Sequence, residues 1–177
     1  MNRSITIPTK VEEITLRQWQ RYMSIEEPSD EQVVEILCNI TPQEVFNLPN
    51  DVYENIVGKI ALLIPQLDSN QQHIMRFEHN GKQYGMIPNL DKITYGANKD
   101  IVATIGDWEK IHYAMNALYR PIVKTSGDNY EIDDYKGDLT IDDLRDMPLN
   151  IVLGARLFFW RLTNALLKAI PNYLEKV

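Results

Sequence analysis

The sequence is poor in the residues that build catalytic sites. It holds one cysteine, Cys38, with three histidines and eight glycines in 177 residues. One cysteine excludes an internal disulfide and fits a reducing compartment. Cys38 lies between Leu37 and Asn39 on an apolar helical face, which predicts a buried structural thiol rather than a nucleophile. His73, His79 and His112 show no metal-ligand spacing such as His-Glu-x-x-His. His73 and His79 are expected at the surface of a hairpin, and His112 half-exposed on a helix. The glycines form no phosphate cradle. Gly81-Lys82 is followed by Gln83, with Arg76 five residues ahead, so the P-loop pattern fails; Gly-x-Gly-x-x-Gly is absent too. The chain has five serines, none in a Gly-x-Ser-x-Gly elbow. No cofactor or metal is expected, and no enzymatic activity. Carboxylate pairs carry no weight, since 25 acidic residues always offer one.

Long basic runs and long apolar runs are missing as well. Lys and Arg number 18 against 25 Asp and Glu, a net charge of −7. Binding to nucleic acid needs clustered cations, so direct binding is not expected. The N-terminus lacks the apolar core of a signal peptide. The most apolar segment, Leu149 to Ile170, is broken by Arg156, Arg161 and Lys168 and is not expected to cross a membrane. These absences predict a soluble intracellular protein. Hydrophobic residues make up 44% of the chain, enough for a packed core and too many for disorder.

Charge is distributed unevenly. Residues 1–125 carry 12 basic and 16 acidic side chains, residues 126–146 carry 2 and 8, and residues 147–177 carry 4 and 1. An acidic connector therefore joins a body to a basic C-terminal helix. Asp128, Glu131, Asp133, Asp134 and Asp138 crowd the connector, but Tyr130 stands where an EF-hand loop starting at Asp128 needs its third ligand. The connector reads as a solvated loop, with a short strand at 130–132 as an option.

The remaining pattern is mostly helical. Residues 4–8 alternate and predict a short strand closed by Pro8. A helix is expected over 15–24, with Leu16, Trp19, Tyr22 and Met23 on one face. Ser29 with Gln32, and Thr41 with Glu44, form capping boxes for two more helices. Asn50 or Asp51 caps a fourth, with Val52, Ile56, Ile60 and Leu63 inward until Pro65. Asn80-Gly81 between two extended runs predicts a β-hairpin over 73–87. Helices follow at 91–104 and after Gly106-Asp107, the latter stopped by Pro121. Thr140 caps a short helix ending at Pro148. The last helix runs from about Pro148 to a stop at Pro171. The expected fold is mainly α: one compact domain of five to seven helices with one inserted β-hairpin. Its parts are a helical 1–65, the hairpin at 70–90, helices at 91–125, the acidic connector at 126–146 and the apolar helix at 147–177.

The last helix is apolar nearly all round. Asn150, Arg161, Asn164 and Lys168 leave only a narrow polar stripe. Such a helix must be covered on more than one side. One reading makes it a central core helix. The other docks one face on the body and offers Phe158, Phe159 and Trp160 to a partner chain. Arg120, in Leu118-Tyr119-Arg120-Pro121-Ile122, sits where a helix leaves carbonyls unsatisfied. It reads as a C-terminal cap in which Arg120 meets the acidic connector, with a ligand or partner contact as the alternative.

One resemblance adds to this. Ile93-Thr94-Tyr95-Gly96, Trp108, Leu118-Tyr119-Arg120-Pro121-Ile122, Tyr130-x-Ile132-x-x-Tyr135-x-Gly137 and Leu153-Gly154-Ala155-x-x-Phe158-Phe159 together resemble a family of small tailed-bacteriophage proteins. The likeness spans residues 87–177 and is similar to tail assembly chaperones. It implies a non-enzymatic protein that binds other phage structural proteins, or a second copy of itself, in the host cytoplasm. The alternative within the same resemblance is a permanent virion component of the neck, tail or head interior. A small early enzyme or a host-takeover factor is a third class, against which the missing catalytic motifs argue. The resemblance carries no catalytic residues.

Overall fold

The computed structural model describes residues 5–68, 71–137 and 144–174, the last ten by backbone alone. Of the short strand expected at 4–8, residue 4 lies outside the described residues and residues 5–8 are irregular. The first helix, α1 (Leu16–Met23), opens with a capping box in which Thr15 accepts from the Gln18 amide and Gln18 reaches back to Thr15. The two boxes read at Ser29 and Thr41 open α2 (Asp30–Leu37) and α3 (Pro42–Phe46) in the same way. Each satisfies amides that a helix start leaves without partners. The next helix, α4 (Asn50–Leu63), begins after Pro49 and has no side-chain cap. Its inward face is Ile56, Ile60 and Leu63, whereas Val52 is exposed.

Two strands follow, β1 (Arg76–His79) and β2 (Lys82–Met86), antiparallel with His79 opposite Lys82. Asn80 and Gly81 both have positive φ, 50° and 71°, as a type I′ turn requires. The chain then makes α5 (Tyr95–Thr104), capped by Thr94, and α6 (Ile111–Leu118). It passes without a break into β3 (Tyr119–Ser126), which turns at Gly127-Asp128 into β4 (Asn129–Ile132). The last helix, α7 (Leu149–Leu174), continues past Pro171. Of the helix expected from Thr140 to Pro148, residues 140–143 lie outside the described residues, and residues 144–148 form a turn and a bridge to Thr15 instead of a helix.

The mainly α expectation with a single hairpin is therefore corrected. Among the described residues, seven α-helices and a four-stranded antiparallel sheet, in the order β1-β2-β3-β4, make a mixed α/β fold rather than a helix bundle. Residues 119–132 form half of the sheet: the optional short strand at 130–132 is present as β4, whereas 119–126, read as a helix stop and the start of the acidic loop, are the strand β3. The physical reason lies in β2. Its edge accepts β3 in the register Tyr84–Pro121, Gly85–Arg120 and Met86–Tyr119. Pro121 has no N–H to donate, so it is confined to places where the ladder does not need one. The ring of Tyr130 lies over Gly85, where any Cβ would collide with it. The Tyr130 hydroxyl donates to the Met86 carbonyl at 2.7 Å. This second hairpin is thus locked onto the first.

A single core runs through both halves, from Val34, Ile36 and Leu37 of α2 to Met115 and Leu118 of α6. Its two ends are joined by backbone bonds. The Leu16 amide donates to the Met147 carbonyl, Arg17 to Arg145, and Leu149 to Ile14. These bonds clasp the start of α1 to the base of α7.

Candidate functional site

The base of α7 is core. Leu149, Ile151, Val152 and Ala155 are buried. Gly154 lets the helix lie against the Gln72 carbonyl, where a side chain would collide with backbone. From Arg156 onward the cover thins. Arg156 places its guanidinium 4.4 Å over the Trp108 ring. Trp108 meets Trp19 edge-on at 6.1 Å, and Trp19 stacks on Tyr22 at 4.8 Å. This ladder ties α7 to α1 through the turn before α6.

The expected partner residues divide. Phe158 is half-buried and stacks on His73, with centroids 4.4 Å apart and planes 12° apart. Phe159 meets Phe158 edge-on at 5.4 Å and is also half-buried. Trp160 is 65% exposed, and Leu162 one turn away from Phe158 is exposed too. The helix therefore leaves the body at Phe159, carrying large apolar side chains outward.

Arg120 is separate from them. It is a β3 residue paired with Gly85, so the helix-cap reading is corrected: α6 ends two residues earlier. It lies in a cleft of about 170 Å³ with Asp133, Asp134 and Tyr135, and among the described residues none of α7 lines that cleft. Among the described residues its buried Nε has no hydrogen-bond partner. Burial lowers its pKa, and the charges of Asp134 and Asp133 work against that shift.

The histidines are placed differently from expectation. His112 is 1% exposed rather than half-exposed. Arg145 donates to its Nε2 at 3.0 Å, and the Gln20 amide nitrogen lies 3.1 Å from Nδ1. It is a structural tie between α6, α1 and the base of α7. His73 and His79 are half-buried, and burial lowers the pKa of His73. Cys38 is buried, which pushes its thiol up to about 11. Among the described residues no three His, Cys, Asp or Glu side chains gather as a metal set, and no helix is long and apolar enough to cross a membrane.

A second surface was not singled out by sequence. A groove of about 540 Å³ runs between α2, α3 and α4. Val45, Phe46, Leu48 and Tyr53 give it apolar walls, and Glu31 and Glu35 stand on its rim. Phe46 is 84% exposed. Glu35 is paired with Arg21 at 2.9 Å. The Tyr53 phenol is raised by desolvation and then by the charges of Asp30 and Glu31, so the local field is negative. The signal in the sequence is the five-residue α3. Its buried Val45 and exposed Phe46 are adjacent, and neighbours on a helix cannot share one face. No family model, curated protein or solved structure matches the chain.

Proposed function

We propose that the protein is a non-enzymatic assembly factor of a tailed bacteriophage, of the tail assembly chaperone type, that holds other phage structural proteins in the host cytoplasm. The observation that supports this reading is the outer part of α7, where Trp160 and Leu162 stand exposed beyond a firmly anchored helix base. An exposed aromatic at the end of a rigid support is the usual form of a binding anchor. The resemblance over residues 87–177 supplies the biological setting.

The test is co-expression with the tail-tube and tape-measure proteins of the same gene cluster. Co-purification that is lost in Trp160→Ala, with the variant still folded, is the expected result. Co-purification that ignores Trp160, or none with any structural protein, overturns the reading. Mass spectrometry of purified virions separates a chaperone, absent from finished particles, from a permanent neck or tail component.

A further inference from the structure

Arg120 carries a charge that the fold does not answer. Among the described residues its buried Nε has no hydrogen-bond partner, and its guanidinium makes no ion pair. A guanidinium stays charged at any ordinary pH and presents five N–H donors. A buried donor left without a partner costs more than its bond would have gained. The Asp134 and Asp133 carboxylates lie close enough to act on it electrostatically, yet neither bonds to it. Asp133 is held by its own loop. Its Oδ1 accepts from the Asp134 amide at 2.9 Å, and its Oδ2 lies 3.7 Å from the Lys136 ammonium.

The surroundings of Arg120 are fixed from three sides. Its backbone pairs with Gly85 in the sheet. The Asp133 amide donates to the Pro121 carbonyl and holds the following loop beside β3. The Tyr135 hydroxyl donates to the Asp100 carboxylate at 2.6 Å and ties that loop to α5. Buried Tyr84 and Tyr119 wall the cleft, and such walls strengthen any electrostatic contact made inside. Lys82 lines it too, exposed and without an ion pair among the described residues. Lys82, Arg120 and Lys136 set three cations against the two carboxylates of Asp133 and Asp134, a surplus of one positive charge.

We propose that this cleft is a binding site for a single carboxylate group, with Arg120 as its fork and Lys82 as a supporting charge. A carboxylate offers two acceptors in one plane, which match two parallel guanidinium N–H bonds. Its one negative charge equals the surplus of the lining, whereas a phosphate group brings more charge than the cleft balances. A volume of about 170 Å³ is well below the roughly 300–1,000 Å³ of sites that enclose a whole drug-sized ligand. The cleft therefore takes the acid end of a molecule and leaves the rest outside. A small free acid has such an end, and so does a Glu or Asp side chain of another protein. Among the described residues the cleft shares none with α7, so it works independently of docking through Trp160.

The experiment is a titration of the isotope-labelled, full-length chain with sodium acetate at constant ionic strength, followed by nuclear magnetic resonance. The Arg120 Nε–H signal reports on the guanidinium, and the backbone amides of 133–136 report on the cleft wall. Arg120→Lys identifies the Nε–H signal by deleting it. A saturable shift with a Kd on the order of 1 mM is expected, and none with sodium chloride. Arg120→Lys should weaken acetate binding about tenfold, since an ammonium is a point charge without the fork. Lys82→Gln should weaken it about two- to fivefold. Lys82 is exposed, so this variant tests the site even if a change at Arg120 unfolds the chain.

A peptide with one glutamate and blocked termini separates the two sources. Binding tighter than that of acetate upholds the site and assigns its ligand to a protein; acetate binding at least as tight as the peptide's upholds it for a small free acid. Shifts with acetate no larger than those with chloride overturn the site and leave the guanidinium to water. Inorganic phosphate binding about tenfold tighter than acetate overturns the carboxylate as ligand. Asp134→Asn covers the remaining case. If that change moves the Arg120 signal before any acetate is added, and only that variant binds acetate, then Asp134 fills the cleft itself and no external ligand is needed, which also overturns the site.

Discussion

Two glycines in helices illustrate how differently one residue type is used. Gly58 lies inside α4, exposed, with nothing within 4 Å of where a Cβ would stand. Gly58→Ala should stabilise the fold by about 0.5–1 kcal/mol, because it removes only backbone freedom from the unfolded chain. Gly154 lies inside α7 against the Gln72 carbonyl. Gly154→Ala should cost about 1–3 kcal/mol through overpacking, and denaturant melts of the pair should show opposite signs. The aromatics of α7 split in the same manner. Phe158→Ala should cost several kcal/mol, up to about 3–5 for a fully buried ring, whereas Trp160→Ala should leave the melting point nearly unchanged. Equal losses at both positions would mean that the outer helix is core. The Phe158 partner gives a pH dependence. Burial holds the His73 pKa below its ordinary 6.5. The unfolded chain thus binds the proton first as pH falls, so stability is retained above 6.5 and lost as pH drops from there toward the folded value. His73→Gln should flatten that part of the stability profile; an unchanged profile assigns it to other groups.

Elements defined by nearby side chains could be read from sequence, and those defined by distant ones could not. The capping boxes at Ser29 and Thr41 and the Asn80-Gly81 turn are decided within four residues, and the structure has all three. The second hairpin is decided elsewhere. Its strand β3 begins on the residue after α6 ends, with no turn signal between Leu118 and Tyr119. Pro121 looks like a helix stop, and the reason for a strand is the free edge of β2, more than thirty residues earlier. Tyr130→Phe removes the hydroxyl that donates to Met86 and should cost about 0.5–1.5 kcal/mol. The apolar girth of α7 was visible as well, but not where the helix parts from the body, since that depends on Gln72, His73 and Trp108. Hydrogen exchange should show the parting directly. Amides of 152–156 should be protected like the core, with protection falling beyond Phe159. Uniform protection along the free monomer's helix would contradict this.

The whole molecule depends on the clasp between residues 14–17 and 145–149. The ion pair above it, Arg17 to Asp146 at 2.7 Å, is exposed on both sides and contributes less than about 1 kcal/mol. The larger share comes from the buried Val11, Ile14 and Leu16, at about 1.5–3 kcal/mol each. Their sum rivals the 5–15 kcal/mol that holds an ordinary domain. A chain starting at Arg17 should therefore lose its cooperative melting transition; a sharp transition in that chain would show that the clasp is dispensable. The groove was hidden at this scale, because its acidic rim and apolar walls come from three helices that sequence alone does not bring together. The clasp also sets the order of events at the ribosome. Its two halves are about 130 residues apart, which at roughly 5–20 residues per second separates their synthesis by roughly 7–26 s. During that interval Ile14 and Leu16 have been made and their lid has not. The newborn chain must wait, its first buried residues open to whatever else the cell offers, until almost the last helix has emerged.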